Sequence, residues 1–163
     1  MIVAWLVALS TAAVALGADV AVEFSMEDQY GVQRSSGQLR GRSYVLVIAD
    51  RDGAEHSVRW GEYLYRALGN DVAIIGCANL DGVPWFLRWL VRGKFRERVT
   101  AIPVLLDWNG ELFRAYSCTE KVPTLVAVNK SGEVALRFSG VPDAESLRSV
   151  VLQLRQRLGL DRQ

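Results

Sequence analysis

Cysteine is scarce in this chain: 163 residues contain two, Cys77 and Cys118. Thiols that far apart make neither a disulfide framework, nor a zinc site, nor a CxxC redox pair. Net charge is nearly absent as well, at +1. No global electrostatic footprint therefore points to nucleic acid as a partner, although a local basic patch stays open. The sequence also lacks internal repeats and low-complexity segments. What it has in quantity is apolar residues, 50% of the total, enough for one domain to bury a core without staples.

A long hydrophobic run occurs in one place. Residues 2–16 read IVAWLVALSTAAVAL, and Ala15-Leu16-Gly17 offers small residues at both positions that a signal peptidase inspects. The run is shorter than the roughly 20 residues a spanning helix needs. Residues 1–17 are therefore read as a signal peptide and 18–163 as the mature domain, exported to the periplasm or the extracellular space. The n-region has no Lys or Arg, and an uncleaved membrane anchor or a buried first helix are the alternatives. Export would place the chain where a disulfide can persist.

The rest of the chain is organised around residues 43–68, SYVLVIADRDGAEHSVRWGEYLYRAL. Residues 44–49 form an unbroken apolar run of the kind a strand buried on both faces requires. Trp60, Leu64, Ala67 and Leu68 then fall on one helical face. Gly69-Asn70 signals the end of that helix, and 71–77 (DVAIIGC) is a second strand. A strand, helix, strand order with so long a crossover implies two parallel strands and a right-handed connection. A second helix is predicted over about 84–96, a strand over 102–106, a turn at 107–110 and a short helical stretch over 111–116. Strands at 124–128 and 133–138, joined by Asn129-Lys130-Ser131-Gly132, read as an antiparallel hairpin. Pro142 is expected to open the last helix at its first position, with Leu147, Val150, Val151, Leu154 and Leu158 on one face and Gly159 as the stop.

Two stretches carry a resemblance. Residues 24–50, FSMEDQYGVQRSSGQLRGRSYVLVIAD, resemble the lead-in of exported thioredoxin-like and peroxiredoxin-like proteins. Residues 103–140, PVLLDWNGELFRAYSCTEKVPTLVAVNKSGEVALRFSG, resemble the part of that superfamily in which a D-x-x-G turn and short helix precede V-P-T and a hairpin. Together they cover most of the mature chain. The resemblance implies an α/β thioredoxin-like fold, with a central mixed sheet flanked by helices, and a cis bond before Pro123.

The superfamily's active-site positions are occupied differently here. Matched to strand, W-C-x-x-C and helix, VIADRDGAEH puts Asp52 where the nucleophilic cysteine belongs and Glu55 where the resolving cysteine belongs. A peroxiredoxin P-x-x-x-T-x-x-C is also missing. The N-terminus of a helix favours negative charge, and Asp52-x-x-Glu55 reads as an N-cap with its capping-box partner. An acid/base pair is the alternative. A metal would need several of Asp50, Asp52, Glu55 and His56 to converge. Only Asp52 and His56 share a face across a cap, so no metal is expected, and no cofactor is implied.

Cys77 and Cys118 both approach the same end of the sheet. Their strands are expected to flank the central one on opposite sides, two spacings of about 4.8 Å apart, more than the roughly 7 Å a disulfide can span. A bent loop at Ser117-Cys118 would close that gap. Two ordinary thiols are one reading; a redox role for Cys118, with or without Cys77, is the other.

Residues 82–98, GVPWFLRWLVRGKFRER, form an aromatic and basic amphipathic helix. Trp85 and Trp89 are i, i+4, and Arg88, Arg92 and Arg96 make a second row. Packing of Trp85, Phe86, Trp89, Leu90 and Phe95 on the sheet is the plainer expectation. A surface for a protein partner, or peripheral association with anionic lipid, is the other. Nucleic acid is not expected, since no strand surface carries interleaved aromatics. Two functions follow: a redox-inactive binding or partner-stabilising module, or a thiol-dependent oxidoreductase or peroxidase using Cys118. Fold resemblance does not choose between them.

Overall fold

The computed structural model describes residues 19–69, 71–98 and 101–160. The expected signal peptide lies outside the described residues. Seven strands and four helices follow in the order β1 (Ser25–Glu27), β2 (Gln33–Ser35), β3 (Tyr44–Ala49), α1 (Ala54–Leu68), β4 (Ala73–Asn79), α2 (Arg88–Arg98), β5 (Val104–Asp107), α3 (Glu111–Ala115), β6 (Thr124–Val128), β7 (Val134–Ser139) and α4 (Ala144–Leu158). Five of the strands make one mixed sheet in the order β5-β4-β3-β6-β7. β3 lies at its centre, parallel to β4 and antiparallel to β6.

Every residue of β3 is buried, because both faces of the sheet are covered. Val45 and Val47 meet Trp60, Leu64 and Leu68 of α1 and Val150, Leu154 and Leu158 of α4. Tyr44, Leu46 and Ile48 meet Leu112, Phe113, Tyr116 and Phe24 on the opposite face. Alternation along one strand thus feeds two separate apolar layers. Gly61 lets α1 approach the body closely, since a Cβ there would lie 2.7 Å from Ile102 Cδ1. The Trp60 indole donates to Gly140 O at 2.9 Å and meets the Phe138 ring edge-on, tying α1 to the end of β7.

Two local expectations need correction. The last helix begins at Ala144, and Pro142 stands one residue before its N-cap. Asp143 is the cap: its Oδ1 accepts from Glu145 N and Ser146 N, and Ser146 Oγ accepts from Asp143 N. A side chain able to accept two backbone donors fixes the boundary more strongly than a preset proline φ. The stretch before β3, where the sequence predicts no strand, contains the β1–β2 hairpin. Asp28 closes it by accepting from Tyr30 N, Val32 N and Arg34 Nε. Gln29 then accepts from Val104 N and donates to Ile102 O, covering the otherwise open edge of β5.

Candidate functional site

Open α/β sheets present their working groups at the carboxyl ends of their strands. Here β3 ends in Ala49-Asp50, β4 in Asn79 and β5 in Asp107, beside the start of β6 at Thr124. Asp50 is the residue that joins these parts. Its Oδ1 accepts from Gly53 N at 2.8 Å and its Oδ2 from Lys121 N at 2.9 Å. One carboxylate therefore holds both the turn into α1 and the loop that leads into β6. The two backbones touch there: a Cβ on Gly53 would lie 3.3 Å from Lys121 C. Lys121 has φ 70 and Ser117 φ 44, so the loop contains two non-glycine residues in the left-handed region.

Asp52 and Glu55 do not form the expected capping box. α1 starts after Gly53, no side chain caps its first turn, and both carboxylates are exposed without a hydrogen bond or ion pair among the described residues. The Asp50 carboxylate closes the turn from two positions earlier, so Asp52 lies outside the capping geometry. Spacing of D-x-x-E alone does not say which residue is the cap. His56 Nδ1 is buried without a hydrogen-bond partner. Among the described residues no group of three or more His, Cys, Asp or Glu converges as metal ligands.

Pro123 is buried immediately before β6, and its carbonyl accepts from Gly140 N at 3.1 Å. The expected cis bond is absent; among the described residues no peptide bond is cis. The chain reverses at Lys121 instead, where the positive φ and the hydrogen bond to Asp50 supply the turn.

Cys77 and Cys118 are free thiols. Cys77 pairs across β3 in the row Cys77–Ile48–Thr124. Cys118 does bend inward: its N–H donates to Phe113 O at 2.9 Å, and its side chain packs against the same apolar layer as Cys77. Burial pushes the Cys77 thiol well up, with the Asp107 carboxylate and Cys118 adding to it. Burial also raises Cys118, opposed in part by a hydrogen bond with Thr124 and by the Arg137 guanidinium. Both groups are thus held as thiols, the weak form of the nucleophile. Asp107, buried beside them, is committed to α3: Oδ1 accepts from Glu111 N, and Oδ2 from Leu112 N.

The aromatic helix does not pack on the sheet. Trp85 is 79% exposed and Trp89 73%, with Phe86 and Leu90 also exposed and Phe95 half-buried. The sheet faces are already taken by α1 and α4 on one side and by α3 and Phe24 on the other. Two arginines hold α2 to the body: Arg88 stacks on the Trp108 ring at 5.0 Å, and Arg92 pairs with Glu27 of β1. A cleft of about 250 Å³ lies alongside, between β1 and the turn after β5, lined by Glu27, Gln33, Asp107 and Trp108 among others. No short motif announces it; it forms where β1 lies beside β5, joined through the bridge between Asp28 and Leu105.

With this geometry in view, the chain can be set against known proteins. No family model matches it, and no curated protein does. Solved structures do. A thiol:disulfide interchange protein of the thioredoxin family from Chlorobium tepidum superposes with a TM-score of 0.63 at 18% identity, covering 87% of this chain and 97% of that one. The fold is thioredoxin-like. The exposed lipoprotein thioredoxin of Streptococcus pneumoniae gives a TM-score of 0.66 at 15% identity, over 82% of this chain and 100% of its own. A member of the Sco family of cytochrome c oxidase assembly proteins gives 0.63 at 15%, over 88% and 96%. In this thioredoxin-like chain Asp52 lies in the turn just before α1 and Glu55 in its first turn, and the two cysteines lie on β4 and in the loop before β6.

Two outcomes are expected. Asp50→Ala removes a charged acceptor shared by two backbone donors and should cost about 1–3 kcal/mol in chemical denaturation. Asp52→Ala and Glu55→Ala should each stay within about 0.5 kcal/mol; equal losses at all three would contradict the assignment. The thiols generate a pH dependence. Because folding raises both pKa values, the folded state keeps its thiol protons to higher pH than the unfolded chain. That contribution is complete below the ordinary value of 9.0 and declines as pH rises through the interval up to the folded values. Denaturation followed from neutral pH upward should show stability falling above that point, and less steeply in Cys77→Ala.

Proposed function

We propose that this chain is an exported thioredoxin-like module that works by binding or stabilising a partner, without thiol chemistry. The observation that carries the reading is the β3–α1 junction. The one carboxylate there with backbone partners, Asp50, serves as a clasp, while Asp52 and Glu55 stand exposed at the positions that the superfamily gives to its cysteine pair. The two available thiols are both pushed toward their protonated forms. Export is supported by the apolar run at 2–16 and by the likeness to a structure described as an exposed lipoprotein. The likeness to an assembly-protein family is in keeping with a scaffold that serves other proteins.

The second reading is a thiol-disulfide oxidoreductase or peroxidase using Cys118. Its support is specific: Cys118 is half-buried rather than enclosed, its thiol meets Thr124 and Arg137, and it lies near Cys77. Several of the structural neighbours are thiol:disulfide proteins.

Thiol titration with and without reductant, together with disulfide-reduction and peroxide-turnover assays on the wild type and Cys118→Ser, separates the two. The binding reading expects two free thiols in both conditions and no turnover above background. Turnover that disappears in Cys118→Ser would replace it with the enzyme.

A further inference from the structure

We propose that the segment from Trp85 to Arg98 is a docking surface for an anionic phospholipid bilayer. A thiol enzyme could carry the same surface, so this proposal does not depend on the redox reading above.

The segment starts with a 3₁₀ turn over Trp85–Leu87 and continues as α2, and neither contains a buried residue. Arg88, Val91, Arg92 and Phe95 form the half-buried inner side. Trp85, Phe86, Trp89 and Leu90 stand on the outer side of the first turns, exposed by 79%, 56%, 73% and 42%. Further along come Lys94, Arg96 and Arg98, all exposed and without an acidic partner among the described residues. Glu97 is the only acid in the segment. Cations that the body neither neutralises nor uses are complementary to phosphate headgroups. Arg88 and Arg92, in contrast, are engaged inward with Trp108 and Glu27, and they fix which side faces out.

Shape favours a bilayer over a protein groove. The aromatic side chains sit on a helix held to the body by arginines rather than by a packed apolar face, so they form a ridge and not a recess. A lipid interface accepts such a ridge, with tryptophan rings at headgroup level and basic residues beside them. Ridge and cations share one 14-residue segment, and the apolar run at 2–16, read as an export signal, takes the chain across a membrane and leaves it beside one.

The test is flotation of the full chain with vesicles of phosphatidylcholine alone and of phosphatidylcholine with phosphatidylglycerol. Any association through residues 2–16 is common to all variants and carries no preference for lipid charge, so the ratio between the two vesicles reads the α2 surface. The wild type should bind the anionic vesicles about tenfold or more tightly, a preference that added salt weakens. The triple variant Lys94→Ala/Arg96→Ala/Arg98→Ala should erase that preference. Trp85→Ala/Trp89→Ala should lower anionic binding and remove the part of the tryptophan blue shift that anionic vesicles add over neutral ones, the contribution of Trp5 in the 2–16 run being common to all variants. These side chains are exposed, so thermal unfolding of both variants should match the wild type and exclude misfolding as the cause. Equal binding to the two vesicles, or variants that bind as the wild type does, would overturn the proposal. So would vesicle binding that is unchanged while association with a protein is lost.

Discussion

The Asp50 carboxylate ties together two stretches of backbone that the antiparallel pairing of β3 with β6 brings to one end of the sheet. One oxygen takes the amide of Gly53 and fixes the turn from β3 into α1; the other takes the amide of Lys121 and holds a loop with two left-handed residues. Asp107 repeats the device two strands further out, at the end of β5, where it receives the first amides of α3. Both aspartates lie at the edge where sheets of this kind usually place their chemistry. Here that edge is occupied with ending strands and starting helices. Carboxylates suit the task because helix N-termini offer unpaired donors and a partial positive charge.

The thiols sit close to this junction. The Cys118 N–H donates to Phe113 O, and its side chain rests on the apolar layer already occupied by Cys77. The position that brings the sulfurs near one another also removes them from water, and desolvation is the leading cause of both raised pKa values. Proximity and activation are separate matters in this fold. On the far side of the β1–β2 hairpin the opposite holds: α2 finds no free sheet face, keeps two arginine contacts, and leaves its tryptophans in solvent.

Much of this is legible in the sequence. Strands β3, β4 and β6 are continuous apolar runs because both faces of the sheet are buried, and such runs have few competing readings. The mixed sheet and the order of its elements followed from strand, helix and hairpin signals together with the resemblance. Other features depended on long-range geometry. The three-residue strands β1 and β2 exist because Asp28 and Gln29 bond across the hairpin and onto β5, which no local pattern encodes. The helical periodicity of this segment groups Trp85, Phe86, Trp89 and Leu90 as the structure does, but Phe95 falls on the inner side with Arg88 and Arg92, and Arg96 is exposed; whether the body had a face left for the aromatics was a property of α1, α3 and α4. At the junction, D-x-x-E spacing suggests Asp52 as the cap; α1 has no side-chain cap, and the carboxylate that holds the junction is Asp50, whose second partner, Lys121, is 71 residues away and invisible to local spacing. The proline expectation failed for a similar reason, since the positive φ at Lys121 makes the turn that a cis bond would have made.

The central proposal is that this junction is a structural clasp, with Asp52 and Glu55 at the positions where, by resemblance, the superfamily places its cysteine pair. Reduction of a protein disulfide, measured side by side for the wild type and for Asp52→Cys/Glu55→Cys, tests it most directly. The account predicts no turnover above background for the wild type and measurable turnover once the cysteines are introduced. Wild-type turnover matching that of the double variant would contradict it, because the reaction would then be running on Cys118 or Cys77 despite their burial.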